Sequence, residues 1–235
     1  PIYVILGPPG IGKTKTSVAI IAELSDSIRT QGRQEKILVC APSNTAVDDL
    51  TLKLVKAGVK DITRVYSSSK EKNGKINPSL QDVTLSNKVK EKSQTLTDFI
   101  ALEAKMQDGT QTRAEKLKYK ALKLSLEQTV LNESRIVCCT CSTAGDGRFD
   151  KITFQNVFID EAAQSIEPDT LIPLTFGARK VLLAGDHKQL GPVVKCDKVK
   201  AAGLDRVLFE RLMTQKVKHT MLDCQYRMHP LIAEF

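Results

Sequence analysis

Residues 7–14 read GPPGIGKT, directly after the apolar run Ile2-Tyr3-Val4-Ile5-Leu6. The spacing fits G-x-x-x-x-G-K-[ST], a pattern that works only as a turn between a strand and a helix. Gly7, Gly10 and Gly12 let backbone N–H groups close around an anion. A helix opening near Gly12 adds its positive end. Lys13 has the reach for β- and γ-phosphates, and the Thr14 hydroxyl suits a Mg²⁺ ion. The candidate phosphate-binding set is Gly7, Pro8, Pro9, Gly10, Gly12, Lys13, Thr14 and Lys15. The ligand class is a nucleoside triphosphate with Mg²⁺.

Further apolar runs follow the same rhythm. KILVCA (36–41), ITRVY (62–66), RIVCCT (135–140), FQNVFIDE (154–161) and KVLLAGD (180–186) read as strands, giving six with the first. The helix after the glycine loop should bury Val18, Ile21 and Leu24. Thr45 and Asp48 are spaced as a capping box for a second helix, with Asp in place of Glu. Strands alternating with helices predict an α/β fold with a mostly parallel sheet covered on both faces. Catalytic loops in such sheets gather at the carboxyl ends of the strands.

Residues 67–134 break that rhythm. Leu85, Val89, Leu96, Phe99 and Met106 suggest one helical stripe, and Leu117, Ala121, Leu124 and Leu131 another. DGTQT supplies the turn, and Thr112 and Glu115 a capping box. The expectation is a helical hairpin inserted into a domain formed by residues 1–66 and 135–235.

Several polar groups end these strands. Asp160 and Glu161 close the apolar VFIDE, where adjacent carboxylates are costly without a cation or donors nearby. A metal ion on Asp160 and a general base at Glu161 account for both. In GDHKQLGP, Gln189 can hydrogen-bond a γ-phosphate or water, Asp186 can anchor the loop, and His187 reads as a bystander. Ser43, Asn44 and Thr45 are either a turn and cap or phosphate donors. In QYRMHP (225–230), Arg227 can stabilise transition-state charge.

The net charge is +8, and most of the excess lies between residues 51 and 135. It is either a nucleic-acid footprint or a solvated lysine face. No apolar run approaches the ~20 residues of a membrane-spanning helix. Six cysteines are present. Cys138 and Cys141 form C-x-x-C without a second pair, so they read as buried strand residues rather than a zinc site. The thiols fit a reducing compartment, cytosol or nucleus.

GPPGIGKT, APSNTA, DEAAQ, GDHKQLGP and QYRMHP, in this order, resemble motifs I, Ia, II, III and IV of superfamily 1 helicases. VCCTCSTAGD and AAGLDRVLFERL narrow the resemblance to the regulator-of-nonsense-transcripts RNA helicases of nonsense-mediated mRNA decay. The resemblance covers nearly the whole chain and is weakest over residues 67–115. It implies the first RecA-like domain of a cytoplasmic ATP-dependent helicase moving 5′ to 3′ on single-stranded RNA. The alternative is a relative acting on DNA or on both nucleic acids. By the same carry-over, Asp160 holds the metal, Glu161 is the base, Gln189 and Arg227 contact the γ-phosphate, and Tyr226 stacks near the adenine. Asn44 and Thr45 touch the RNA backbone. The basic insertion contacts nucleic acid.

A small-molecule kinase is a poorer match, because no acceptor pocket is evident. Ile11 departs from the family's usual Thr. That position acts chiefly through its backbone, so a mild effect is expected. The chain reads as a piece of a longer protein. A second RecA-like domain would follow it, and decay factors would dock elsewhere. An arginine finger on that second domain is worth ~10³–10⁵ in rate, so the piece alone should bind ATP weakly and barely hydrolyse it.

Overall fold

In the computed structural model, which describes residues 1–72, 76–94 and 96–233, the apolar runs pair side by side. The strands are β1 (Ile2–Leu6), β2 (Ile37–Ala41), β3 (Ile62–Arg64), β4 (Ile136–Thr140), β5 (Asn156–Ile159), β6 (Lys180–Gly185) and β7 (His219–Met221). They form one sheet in the order β3-β4-β2-β5-β6-β1-β7, and every pairing is parallel. Every residue of β2, β4 and β5 is buried, as expected where helices cover both faces of a parallel sheet.

The first helix, α1 (Lys13–Thr30), starts on the glycine turn and buries Val18, Ile21 and Ile28. It shares one face of the sheet with α2 (Asn44–Lys56), which buries Val47, Leu50 and Leu54. Leu24 packs half-buried against the same core. The other face carries Phe149, Phe154, Leu208, Phe209 and part of the β3–β4 connection. Cys138 lies in the first core and Cys139 and Cys141 in the second. The two cysteines of C-x-x-C therefore face opposite sides, as strand alternation requires.

Two local expectations are corrected. Thr45 and Asp48 do not form a capping box. Ser43 is the N-cap of α2, its hydroxyl accepting from the Ala46 N–H at 3.2 Å. Asp48 is drawn away by Arg64 and Tyr66. A seventh strand, β7, pairs with β1 at the sheet edge. Its three residues are all exposed, so no apolar run marked it.

The connection from β3 to β4 holds α3 (Ser68–Lys72), α4 (Leu85–Ser93), α5 (Thr97–Gln107) and α6 (Arg113–Glu133). The capping box of Thr112 and Glu115 opens α6 as expected. Both α4 and α5 pack on α6, and the first expected stripe is divided between them, with Leu85 and Val89 on α4 and Phe99 and Met106 on α5, so the expected hairpin is a group of three helices. The second stripe is corrected in part, with Leu131 buried as expected. Leu126, Val130 and Leu131 are buried, with Tyr119 and Leu122 packed against the same core. Leu117 and Leu124 are exposed. Phe99 of α5 meets the Tyr119 ring at a centroid distance of 5.2 Å, which turns this face of α6 inward.

Candidate functional site: a nucleotide-binding edge

The strand order sets β5, β6 and β1 side by side, so their carboxyl-end loops converge. The loop after β1 is the glycine turn. Its Gly10 and Gly12 adopt φ values of 84° and 85°, a region side-chain-bearing residues seldom enter. The Gly7 N–H donates to the Gly185 carbonyl of β6 at 3.3 Å, fixing the turn to the neighbouring strand. Lys13 is buried, and its Nζ donates to the carbonyls of Gly7 (2.7 Å) and Pro8 (3.2 Å). Its charge therefore lies inside the turn. Ile11 is buried too. A Cβ on Gly7 would stand 1.7 Å from Ile11 Cδ1, so the Ile11 side chain fills space beside the turn.

The loop after β5 carries the two carboxylates. The Asp160 N–H donates to the Cys40 carbonyl of β2 at 2.9 Å, and the Glu161 N–H donates to Asp160 Oδ1 at 3.1 Å. Burial pushes the Asp160 carboxyl up, opposed by a hydrogen bond from Thr14 and by the Lys13 charge. These hard oxygens, a buried carboxylate and the Thr14 hydroxyl, fit a Mg²⁺ ion. Burial first, and then the Asp160 charge, push Glu161 up as well. Gln164 Nε2 donates to Glu161 Oε2 at 3.0 Å, holding the carboxylate in place.

The loop after β6 is tied down by Asp186. Its carboxylate accepts from the Lys188 N–H at 2.9 Å and from Gln189 Nε2 at 3.2 Å. One N–H of the Gln189 side-chain amide is thereby tied to Asp186. His187 Nδ1 is buried without a hydrogen-bond partner among the described residues.

QYRMHP folds back over the glycine turn. The Tyr226 N–H donates to the Gly10 carbonyl at 3.0 Å, and Lys15 Nζ lies 5.9 Å from the Tyr226 ring centroid. Arg227 is exposed beside Gly10. Sequence reading missed Gln225. Its Nε2 donates to the Pro9 carbonyl at 2.9 Å, and its Oε1 accepts from the Arg227 and Met228 N–H groups. A Cβ on Gly10 would lie 2.2 Å from that oxygen, so the glycine also makes room for this strap.

Ser43, Asn44 and Thr45 lie one strand further, at the carboxyl end of β2. Ser43 and Thr45 are exposed and Asn44 is half-buried. Arg64 of β3 is fully buried and donates to Asn44 and Asp48. A cavity of about 630 Å³ lies elsewhere, lined by Tyr3, Ile20, Leu24, Phe158 and Leu182, and holds none of the predicted phosphate, metal or nucleic-acid residues.

A parallel sheet with a glycine turn, an acidic strand end and a glutamine loop on three adjacent strands defines a P-loop nucleotide-binding domain of RecA-like type. The chain belongs to the AAA domain family, whose profile matches residues 1–121 and 101–197. It is 40% identical over 236 residues to the Regulator of nonsense transcripts 1 homolog of Drosophila melanogaster, covering all of this chain and 19% of that protein. The homolog of Arabidopsis thaliana is 41% identical over 237 residues, with 18% of its length covered. The ATP-dependent helicase NAM7 of Saccharomyces cerevisiae is 40% identical over 236 residues, with 23% covered. The resemblance read from the motifs is thus borne out. The chain spans about a fifth of the length of these curated relatives.

Proposed function

We propose that this chain is the nucleotide-hydrolysing RecA-like part of an ATP-dependent RNA helicase acting in nonsense-mediated mRNA decay, in the cytoplasm. The observation that carries the reading is the convergence of Lys13, the Thr14–Asp160 pair, Glu161 and Gln189 on three adjacent strand ends. The names of the relatives support the helicase and decay assignments.

In this reading Gly7–Thr14 binds the triphosphate and Lys13 moves from the Gly7 and Pro8 carbonyls onto phosphate oxygens. Thr14 and Asp160 would hold Mg²⁺, which would offset phosphate charge. Glu161 accepts a proton from the attacking water. Gln189, held by Asp186, hydrogen-bonds that water. Arg227, presented by the Gln225 strap, meets charge developing on the γ-phosphate, and Tyr226 stacks beside the base. Ser43, Asn44 and Thr45 contact the backbone of single-stranded RNA. A second RecA-like domain of the longer protein completes the ATP site, and closing and reopening of the pair moves the strand 5′ to 3′.

The test is the ATPase rate of the full-length protein without polymer, with single-stranded RNA, and with single-stranded DNA at fixed salt. Stimulation by RNA well above DNA is expected. Equal stimulation would assign a dual-specificity relative. Stimulation by neither would reject the helicase reading.

A further inference from the structure

Arg64 is among the largest fully buried side chains of the described residues, and its guanidinium has an unusual set of neighbours. It reaches from edge strand β3 to the start of α2. Nε donates to Asp48 Oδ1 at 2.8 Å, and Nη1 donates to the Val65 carbonyl at 2.6 Å. Nη2 donates to Asn44 Oδ1 at 2.9 Å. The guanidinium carbon lies 3.9 Å from the Tyr66 ring centroid, and Tyr66 Oη donates to the same Asp48 oxygen at 2.8 Å. Asp48, Tyr66 and Arg64 thus lock one another, and the free end of the fork is spent on Asn44.

That last contact settles which way Asn44 points. A guanidinium only donates, so the amide must turn its oxygen toward Arg64. The amide N–H₂ then faces away, and it has no hydrogen-bond partner among the described residues. An unconstrained asparagine could present either end. A strand of phosphates offers only acceptors, so only the N–H₂-outward orientation is useful to it.

We propose that Arg64 is a positioning residue that holds Asn44 with its amide oxygen inward and its two N–H donors outward, ready for acceptor oxygens of a nucleic acid strand. Asp48 and Tyr66 hold Arg64 itself. This rests on the reading that Asn44 contacts nucleic acid. Arg64→Lys keeps the charge beside Asp48 but loses the planar fork that reaches Asp48 and Asn44 together.

The test is a double-mutant cycle in the full-length protein, read by the affinity for a fluorescent single-stranded oligouridylate at fixed salt. Arg64→Lys should weaken binding about tenfold, the scale of one hydrogen bond to a charged acceptor. In an Asn44→Ala background the same change should weaken binding no further. An equal loss in both backgrounds would overturn the positioning role while leaving Asn44 as a contact. An Asn44→Ala protein that binds like wild type would reject the contact itself and the proposal with it. Asn44→Asp covers the case in which Arg64→Lys does not fold. It keeps an acceptor for Arg64 and removes both donors, so it should melt no lower than wild type yet lose at least the same tenfold. Wild-type affinity in that variant would also overturn the proposal.

Discussion

Glu161 sits at a φ of 52°, in the left-handed region that costs a side-chain-bearing residue about 1–3 kcal/mol. The same carboxyl is destabilised by burial and by Asp160. Both penalties fall on the residue read as the general base, where a raised proton affinity helps a carboxylate accept a proton near neutral pH. The sign for stability follows from linkage. A raised carboxyl holds its proton more tightly folded than unfolded, so its stability contribution is fully present below the ordinary carboxylate range and is lost as pH rises through the folded value. Glu161→Gln removes that loss. It should abolish hydrolysis, leave nucleotide binding intact, and raise Tm at pH 7.5 by about 2–4 °C per kcal/mol regained. The gain should vanish near pH 4, where wild type is protonated as well. Surviving turnover would remove Glu161 from the role of base. The residues of this site were legible because their motifs are contiguous and their chemistry is local. Gln225 was not, since its partner Pro9 lies 216 positions away.

At the scale of elements, Arg148 joins the helical group to the sheet. It is buried in a short turn after β4 and donates to the Tyr66 carbonyl at 2.7 Å and to both Asp146 oxygens at 3.1 Å. Glu71 of α3 lies 3.6 Å away. Burial pushes Glu71 and Glu127 of α6 up, and the Arg148 charge opposes both shifts. Without the arginine, three carboxylates would face one another with Lys123 as their remaining cation. Arg148→Met should therefore cost about 3–5 kcal/mol in urea denaturation at pH 7.5. The loss should shrink toward pH 5, because protonating the carboxyls relieves their repulsion. A pH-independent loss would mean that packing alone is at stake. Neither this anchor nor the facing of α6 could be read from spacing. Two registers of apolar residues run along α6, and only contact with Phe99 selects the one containing Tyr119, Leu126 and Val130. The cap of α2 moved for a similar reason, since Asp48 is held by Arg64 and Tyr66 from β3 and its end.

For the whole molecule, alternation of apolar runs was enough to foresee a parallel sheet, but not the strand order. That order brings β5, β6 and β1 together for the nucleotide and sets β2, with its Ser43–Thr45 turn, beside β5. The basic excess belongs to the same arrangement, because the helical group leaves the sheet from β3 and returns at β4, next to β2. Lys116, Lys118 and Lys120 are exposed on α6, and Lys123 is half-buried. Lys118 lies 3.3 Å from Asp98, a solvent-exposed pair that contributes little to stability. Exposed lysines serve solubility or meet phosphates, and salt separates the two. Each phosphate neutralised on a single strand adds about 0.7 to the slope of log affinity against log salt. Replacing all four lysines by glutamine should therefore flatten that slope by about 3 if every one meets a phosphate, and by less in proportion if fewer do. The measurement is RNA affinity of the full-length protein over a salt series, with melting temperature as a check on folding. An unchanged slope with wild-type melting would return this surface to a solvated face and leave the turn after β2 as the remaining candidate contact for the strand.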